Sequence, residues 1–127
     1  MRDFVLGGIF WRVRTVNPNS AMLIDRTGTH TVATTDPITH TVYISNQLAG
    51  EFLTHVIIHE LGHCAIISFG LQDDIRRMVR PEYWIEAEEW ACNFIADYGM
   101  RIFRAAYQIL GDEALEYLPY ELERLIA

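Results

Sequence analysis

Lysine is absent from this chain: all ten basic residues are arginines. Schiff-base chemistry and a phosphate-cradling P-loop both depend on a lysine amine, so both are excluded. Positive charge is scarce as a whole. Seventeen acidic residues against ten arginines give a formal net charge of −7, which argues against a nucleic-acid partner, because phosphate binding needs basic patches. Cysteine is nearly missing too, and Cys64 and Cys92 cannot make a disulfide framework. No apolar run approaches the roughly 18 residues of a membrane span. The apolar stretch near the N-terminus is cut short by Arg12 and Arg14, with no small-residue cleavage site after it. The expectation is a cytoplasmic protein with reduced thiols and no membrane partner.

Against these gaps, half of the 127 residues are hydrophobic and all three aromatic types occur, which is enough for one packed core and too apolar for disorder. A single domain over residues 1–127 is expected. Up to about residue 46 the text is rich in Thr, Val and aromatics with turn residues between, the composition of strands. Phe10 to Val16 alternates, and Asn17 to Ser20 breaks it. Met22–Ile24 and Thr29–Ala33 read as short strands around a turn at Arg26–Gly28. Thr41–Ser45 reads as a further strand after Asp36 and Pro37. From about Leu48 the text is helical. A first helix runs to Phe69 and stops at Gly70, a favoured residue just past a helix end. Pro81 suits the first turn of a second helix, which continues past Gly99 to about Leu110. A short helix follows Gly111 and Asp112, and Pro119 ends or bends it. The fold class is α+β, with a small, mostly antiparallel N-terminal sheet, two long helices and a short C-terminal one.

The first helix carries His59-Glu60-Leu61-Gly62-His63, an HExxH motif inside an apolar run. Positions i and i+4 lie one turn apart on one helix face. His59 and His63 can therefore aim two imidazoles at one zinc ion, while Glu60 stands beside the metal as a general base rather than a ligand. Two histidines and a glutamate are awkward to bury on an apolar helix without a partner. That pattern is the signature of zinc-dependent peptide hydrolysis.

Zinc held this way needs a third ligand, and His63 is the last histidine in the chain. A carboxylate or a thiolate must supply it. A stripe through Ile85, Glu89, Cys92 and Ala96 selects Glu89. A stripe one residue earlier, through Trp84, Glu88, Ala91 and Ile95, selects Glu88. Helical periodicity leaves both open, and a structural site using Cys92 is a weaker third arrangement, because structural zinc fills all four positions with protein.

His-Glu-Leu-Gly-His followed by Glu89-x-x-x-Asn93, with Phe94 and Ala96 in apolar positions, resembles the gluzincin group. The likeness is closest to small ImmA/IrrE-type metallopeptidases and short zincin-like proteins of phages and prophages. It covers roughly residues 40–97. A Trp90-Ala-Cys-Asn93 segment stands where that family has a Glu-Ala-Asn core. The resemblance implies a zincin-like fold, a zinc cofactor, Glu89 as third ligand and Asn93 as a supporting polar residue one turn on. It also implies that Thr41–Ser45 is the edge strand on which extended peptides bind. The implied activity is peptide-bond hydrolysis on a polypeptide substrate. The alternative is a zincin-like module that keeps its metal for binding or regulation and cleaves nothing.

The remaining polar candidates read more plainly. His55, one turn before His59 on the same face, reads as a solvent-edge residue, with support of a metal ligand or contact with substrate as the alternatives. His30 and His40 fall in strand or turn text as surface residues, and Cys64 and Cys92 suit small buried packing. Arg76, Arg77 and Arg80 lie in a loop between the motif helices that reads as solvated, with a substrate carboxylate as the alternative partner. Tyr43, Tyr83 and Tyr98 are each able to stabilise an oxyanion.

Overall fold

The computed structural model describes residues 1–115. The chain divides into two compact units, Met1–Asp97 and Tyr98–Ala127. The first holds β1 (Phe4–Leu6), β2 (Ile9–Val16), a 3₁₀ turn (Ala21–Leu23), β3 (Ala33–Asp36) and β4 (Thr41–Ser45). The helices α1 (Gly50–Ser68), α2 (Gln72–Met78) and α3 (Trp84–Phe94) follow. In the described part of the second unit, α4 (Met100–Leu110) is followed by a 3₁₀ stretch, Gly111–Leu115. The α+β expectation holds, while Pro119 lies outside the described residues. Among those residues no single helix is long and apolar enough to cross a membrane.

The four strands form one mixed sheet in the order β1-β2-β4-β3. β1 turns into β2 through Gly7 and Gly8, both at positive φ, the conformation a two-residue hairpin demands. β2 alternates as its sequence implies, with Trp11 fully buried between exposed Phe10 and Arg12. β2 runs parallel to β4 and β3 runs antiparallel to it. Two of the three pairings are thus antiparallel, as a mostly antiparallel sheet requires, and the one parallel pairing makes the sheet mixed. Thr41–Ser45 is also not an edge. β4 lies between β2 and β3 and is buried along nearly its whole length, while β3 takes the edge.

Two further expectations change for local reasons. Met22 and Leu23 lie in the 3₁₀ turn instead of a strand, because Ser20 accepts a hydrogen bond from Met22 N and caps it, and Ile24 is the extended residue that follows. The Thr31 and Thr34 hydroxyls bond to the carbonyls of Leu23 and Met22, which competes with ladder formation, so only an Ile24–His30 bridge precedes β3. The long second helix is not uniform either: a π-helical turn, Ile95–Gly99, separates α3 from α4. Gly99 is a weak helix former, and single π turns interrupt helices where the ladder is weak.

The core is Trp11, Ala33, Val42, Ile44, Val56 and Cys64, so one side of α1 lies on the sheet. Trp11 Nε1 donates to Ser68 Oγ at 2.9 Å and ties β2 to the end of α1. That end follows the sequence: Gly70 has φ +67°, Gly70 N bonds to Ile67 O and Leu71 N to Ile66 O. These two bonds are a Schellman closure, which satisfies carbonyls the helix leaves open.

Candidate metal centre

Opposite the sheet, α1 meets α3 at very short range. A Cβ added to Gly62 would lie 3.0 Å from Cys92 Sγ and 3.2 Å from Cys92 Cα. The glycine inside the HExxH motif therefore sets the helix spacing, which brings Glu88 and Glu89 to the two histidines. Cys92 is buried in this contact, and burial pushes its thiol pKa up. Burial does the same for Cys64 on the core side, to about 12. Both cysteines are packing residues.

His59 Nε2 and His63 Nε2 lie 3.3 Å apart. The Glu89 carboxylate closes on both, with Oε2 3.1 Å from His59 Nε2 and Oε1 3.3 Å from His63 Nε2. Ligand atoms of His59, His63 and Glu89 all lie within 4.8 Å of one another, and this group could hold a metal ion. Two imidazole nitrogens and a carboxylate oxygen make the donor set of zinc sites that keep a fourth position open.

The choice between the adjacent glutamates follows from their partners. Glu88 Oε2 accepts from His63 Nδ1 at 2.6 Å and faces Arg26 Nη2 at 3.1 Å, and its Oε1 accepts from Gln72 Nε2 at 3.4 Å. A carboxylate accepts only, so Nδ1 carries the hydrogen and Nε2 is the ring nitrogen presented to a metal. Its side chain is 7 % exposed against 40 % for Glu89. Glu88 is thus committed to His63, Arg26 and Gln72, and Glu89 is the carboxylate in the group that could hold a metal ion. Asn93, expected to support the site, is exposed and makes no hydrogen bond to these groups among the described residues. Glu88 takes that place.

Charges in the metal-free cluster hold one another. Burial alone would lower the His63 pKa, but Cys92, Glu88 and Glu89 outweigh it and raise the value. Hydrogen bonds from His59 and then His63 hold Glu89 well below the usual carboxylate range. Burial opposes the charge on Glu88, yet His63 and Arg26 prevail and lower its pKa.

Glu60 is buried, and Thr35 Oγ1 of β3 donates to its Oε2 at 2.6 Å. Its Oε1 makes no hydrogen bond among the described residues. Glu60, the two histidines and both glutamates line one open cleft of about 710 Å³, with Thr35 and Tyr43 on the sheet side. His55 also lines it and pairs with Asp97 at 3.5 Å. His30 and His40 stand elsewhere, on Pro18 O and the Trp11 ring respectively. Arg76 stacks on Trp84 and Arg77 pairs with Asp74, and both belong to α2 rather than to a loop. Tyr83 is exposed on the turn before α3.

Three contributors escaped the sequence reading: Arg26, Thr35 and Gln72. None lies in a motif, and each reaches the site through a long-range contact. A Thr in a threonine-rich strand and an Arg in a turn carry no local signal. Compared with known proteins, the chain matches no family model, no curated protein and no solved structure.

Proposed function

We propose that this protein is a zinc-dependent peptidase of zincin-like, gluzincin type, with His59, His63 and Glu89 as ligands and Glu60 as general base. The reading rests on one observation: three donors of the right chemistry converge while the adjacent Glu60 stays out of the group, in the same cleft. Zinc held there would polarise the scissile carbonyl and acidify a bound water. The side chains do the rest. Thr35 fixes one oxygen of Glu60 and leaves the other to accept a proton, which it later returns to the leaving amine. Glu88 keeps His63 in one tautomer and orientation.

β3 supports a polypeptide substrate. Ser45 N donates to Val32 O, so residues 32, 34 and 36 turn their backbone groups toward β4. Ala33 and Thr35 then point theirs away from β4, where the Ala33 carbonyl accepts from Thr31 Oγ1 at 2.8 Å and Thr35 presents its groups to the edge. An extended chain pairing there would lie beside Glu60, which is strand addition. The edge role expected of Thr41–Ser45 passes to Ala33–Asp36.

Glu60→Gln tests the enzyme reading, since it removes the proton acceptor and spares all three ligands. Zinc content and fold should be retained, and the rate should fall about a hundredfold to ten-thousandfold. The measurement is digestion of an unstructured peptide library read by mass spectrometry, wild type and variant in parallel. Zinc-loaded wild type with no variant-sensitive cuts would leave a zinc-binding module that does not cleave.

A further inference from the structure

Arg26 is the one arginine among the described residues that line the cleft. Its loop is built to hold it there. Asp25 Oδ1 accepts from Thr27 N at 2.8 Å, from Thr27 Oγ1 at 2.6 Å and from Thr29 N at 3.0 Å. Gly28 N bonds back to Asp25 O, and the Ile24–His30 bridge closes the base of the loop. The guanidinium crosses from this loop to α3, where a single nitrogen, Nη2, meets Glu88 Oε2 at 3.1 Å and Glu89 Oε1 at 3.3 Å.

An arginine offers five N–H donors in a planar fork. Nη2 is engaged with the glutamates, while Nη1 and Nε make no hydrogen bond among the described residues. The side chain is 40 % exposed. Uncommitted donors with a permanent charge therefore stand in the cleft, on the α3 side of the three ligands. Glu60 stands on the β3 side, held by Thr35. The proton acceptor and the cation thus come from opposite walls. Acyl transfer needs that division: one group takes the proton from the attacking water, and another meets the charge that develops on the carbonyl oxygen.

We propose that Arg26 is a catalytic residue that donates hydrogen bonds to the oxygen on which negative charge develops as the peptide carbonyl is attacked. The assignment rests on the peptidase reading and adds to it the electrophilic group. It gives the role to a loop arginine rather than to any of the tyrosines. In this scheme Nη2 stays on Glu88, so the fork is anchored, and Nη1 and Nε reach the reacting oxygen. Removing one such donor lowers turnover about a hundredfold to a thousandfold in other acyl-transfer enzymes.

The test avoids the need for a known substrate. A peptidyl phosphonate carries a tetrahedral anion in place of the scissile carbonyl, and cobalt in place of zinc gives a visible spectrum. Wild type, Arg26→Gln and Arg26→Lys are loaded with cobalt, cobalt affinity is measured, and phosphonate is titrated by absorbance. Arg26→Gln should weaken phosphonate binding tenfold or more while cobalt affinity changes less than about threefold. Arg26→Lys, which keeps the charge but loses the fork, should fall between the two. Unchanged phosphonate affinity in Arg26→Gln overturns the proposal. Parallel loss of cobalt and phosphonate also overturns it, because Arg26 would then serve only to hold Glu88 and Glu89. Cobalt-loaded wild type that binds no phosphonate rejects Arg26 while keeping the metal site, and wild type that binds no cobalt rejects the peptidase reading itself.

Discussion

The two sides of α1 solve different problems with neighbouring residues. Toward the sheet, Val56 and Cys64 pack against Trp11, Val42 and Ile44, and what matters there is volume and the exclusion of water. Toward α3 and the β3 edge, His59, Glu60 and His63 are also withdrawn from solvent, but each is matched by a polar partner: Glu89 and Glu88 on α3 for the two histidines, and Thr35 on β3 for Glu60. Among the described residues no side-chain polar atom wholly sealed from solvent lacks a hydrogen bond. The comparison teaches that a helix apolar almost all round is not thereby all core. Burying one side stabilises the fold, and burying the other prepares donors.

The two sides should come apart under mutation, and this is the largest expected effect. Trp11→Ala deletes a fully buried ring and should cost about 3–5 kcal/mol in unfolding free energy, while the protein that stays folded still takes up zinc. His59→Ala should do the reverse. Its partner Glu89 is 40 % exposed, so the metal-free protein should lose no more than about 1 kcal/mol. Zinc affinity should collapse by more than the roughly hundredfold ceiling of an outer partner. Chemical denaturation after chelation, paired with zinc titration, reads both. A His59 variant that unfolds like the Trp11 variant would erase the distinction.

A finer cut runs within the α3 side, between Glu88 and Glu89. Glu89→Gln removes a donor and should weaken zinc as severely as His59→Ala. Glu88→Gln keeps the shape but weakens the pull on His63 Nδ1, and should cost about tenfold to a hundredfold in zinc affinity. Competitive titration against a chromophoric chelator would rank them. The reverse order would transfer the ligand role to Glu88.

How far these features could be read in advance follows from the range over which they are determined. The His59–His63 pairing and the position of Glu60 are set within one helix turn, and the motif states them. The closure at Gly70 is equally local. Glu89 over Glu88 was suggested by resemblance alone, because the wheel allows both. The structure separates them through His63 Nδ1 and Gln72, which hold Glu88 from other elements. The place of β4 in the sheet was missed for a similar reason. The resemblance makes Thr41–Ser45 an edge, yet Thr41 and Ser45 are both buried, with Thr41 Oγ1 bonded to Thr39 O and Ser45 Oγ accepting from Gln47 N. Strand order depends on which strand crosses back, and nothing in five residues encodes it.

The smallest expected effect concerns protons, and it separates the metal-loaded from the chelated protein. Without metal, the His63 pKa is raised from 6.5, so its contribution to stability is full below that value and is lost as pH rises toward the folded one. Glu88 and Glu89 are lowered from 4.5, so theirs are present above that value and are lost as pH falls through the folded ones. The cluster thus stabilises the chelated protein most between 4.5 and 6.5, and less toward neutral and alkaline pH. Zinc needs the ring nitrogens free of protons, so its own contribution grows with pH over the range where the chelated form declines. Titrations elsewhere in the chain are common to both states and cancel in their difference. The gap in Tm between zinc-loaded and chelated protein should therefore widen steadily from pH 5 to pH 8 in thermal unfolding. A gap that stays flat over that range would mean that metal and protons do not compete for His63, and that the metal binds elsewhere.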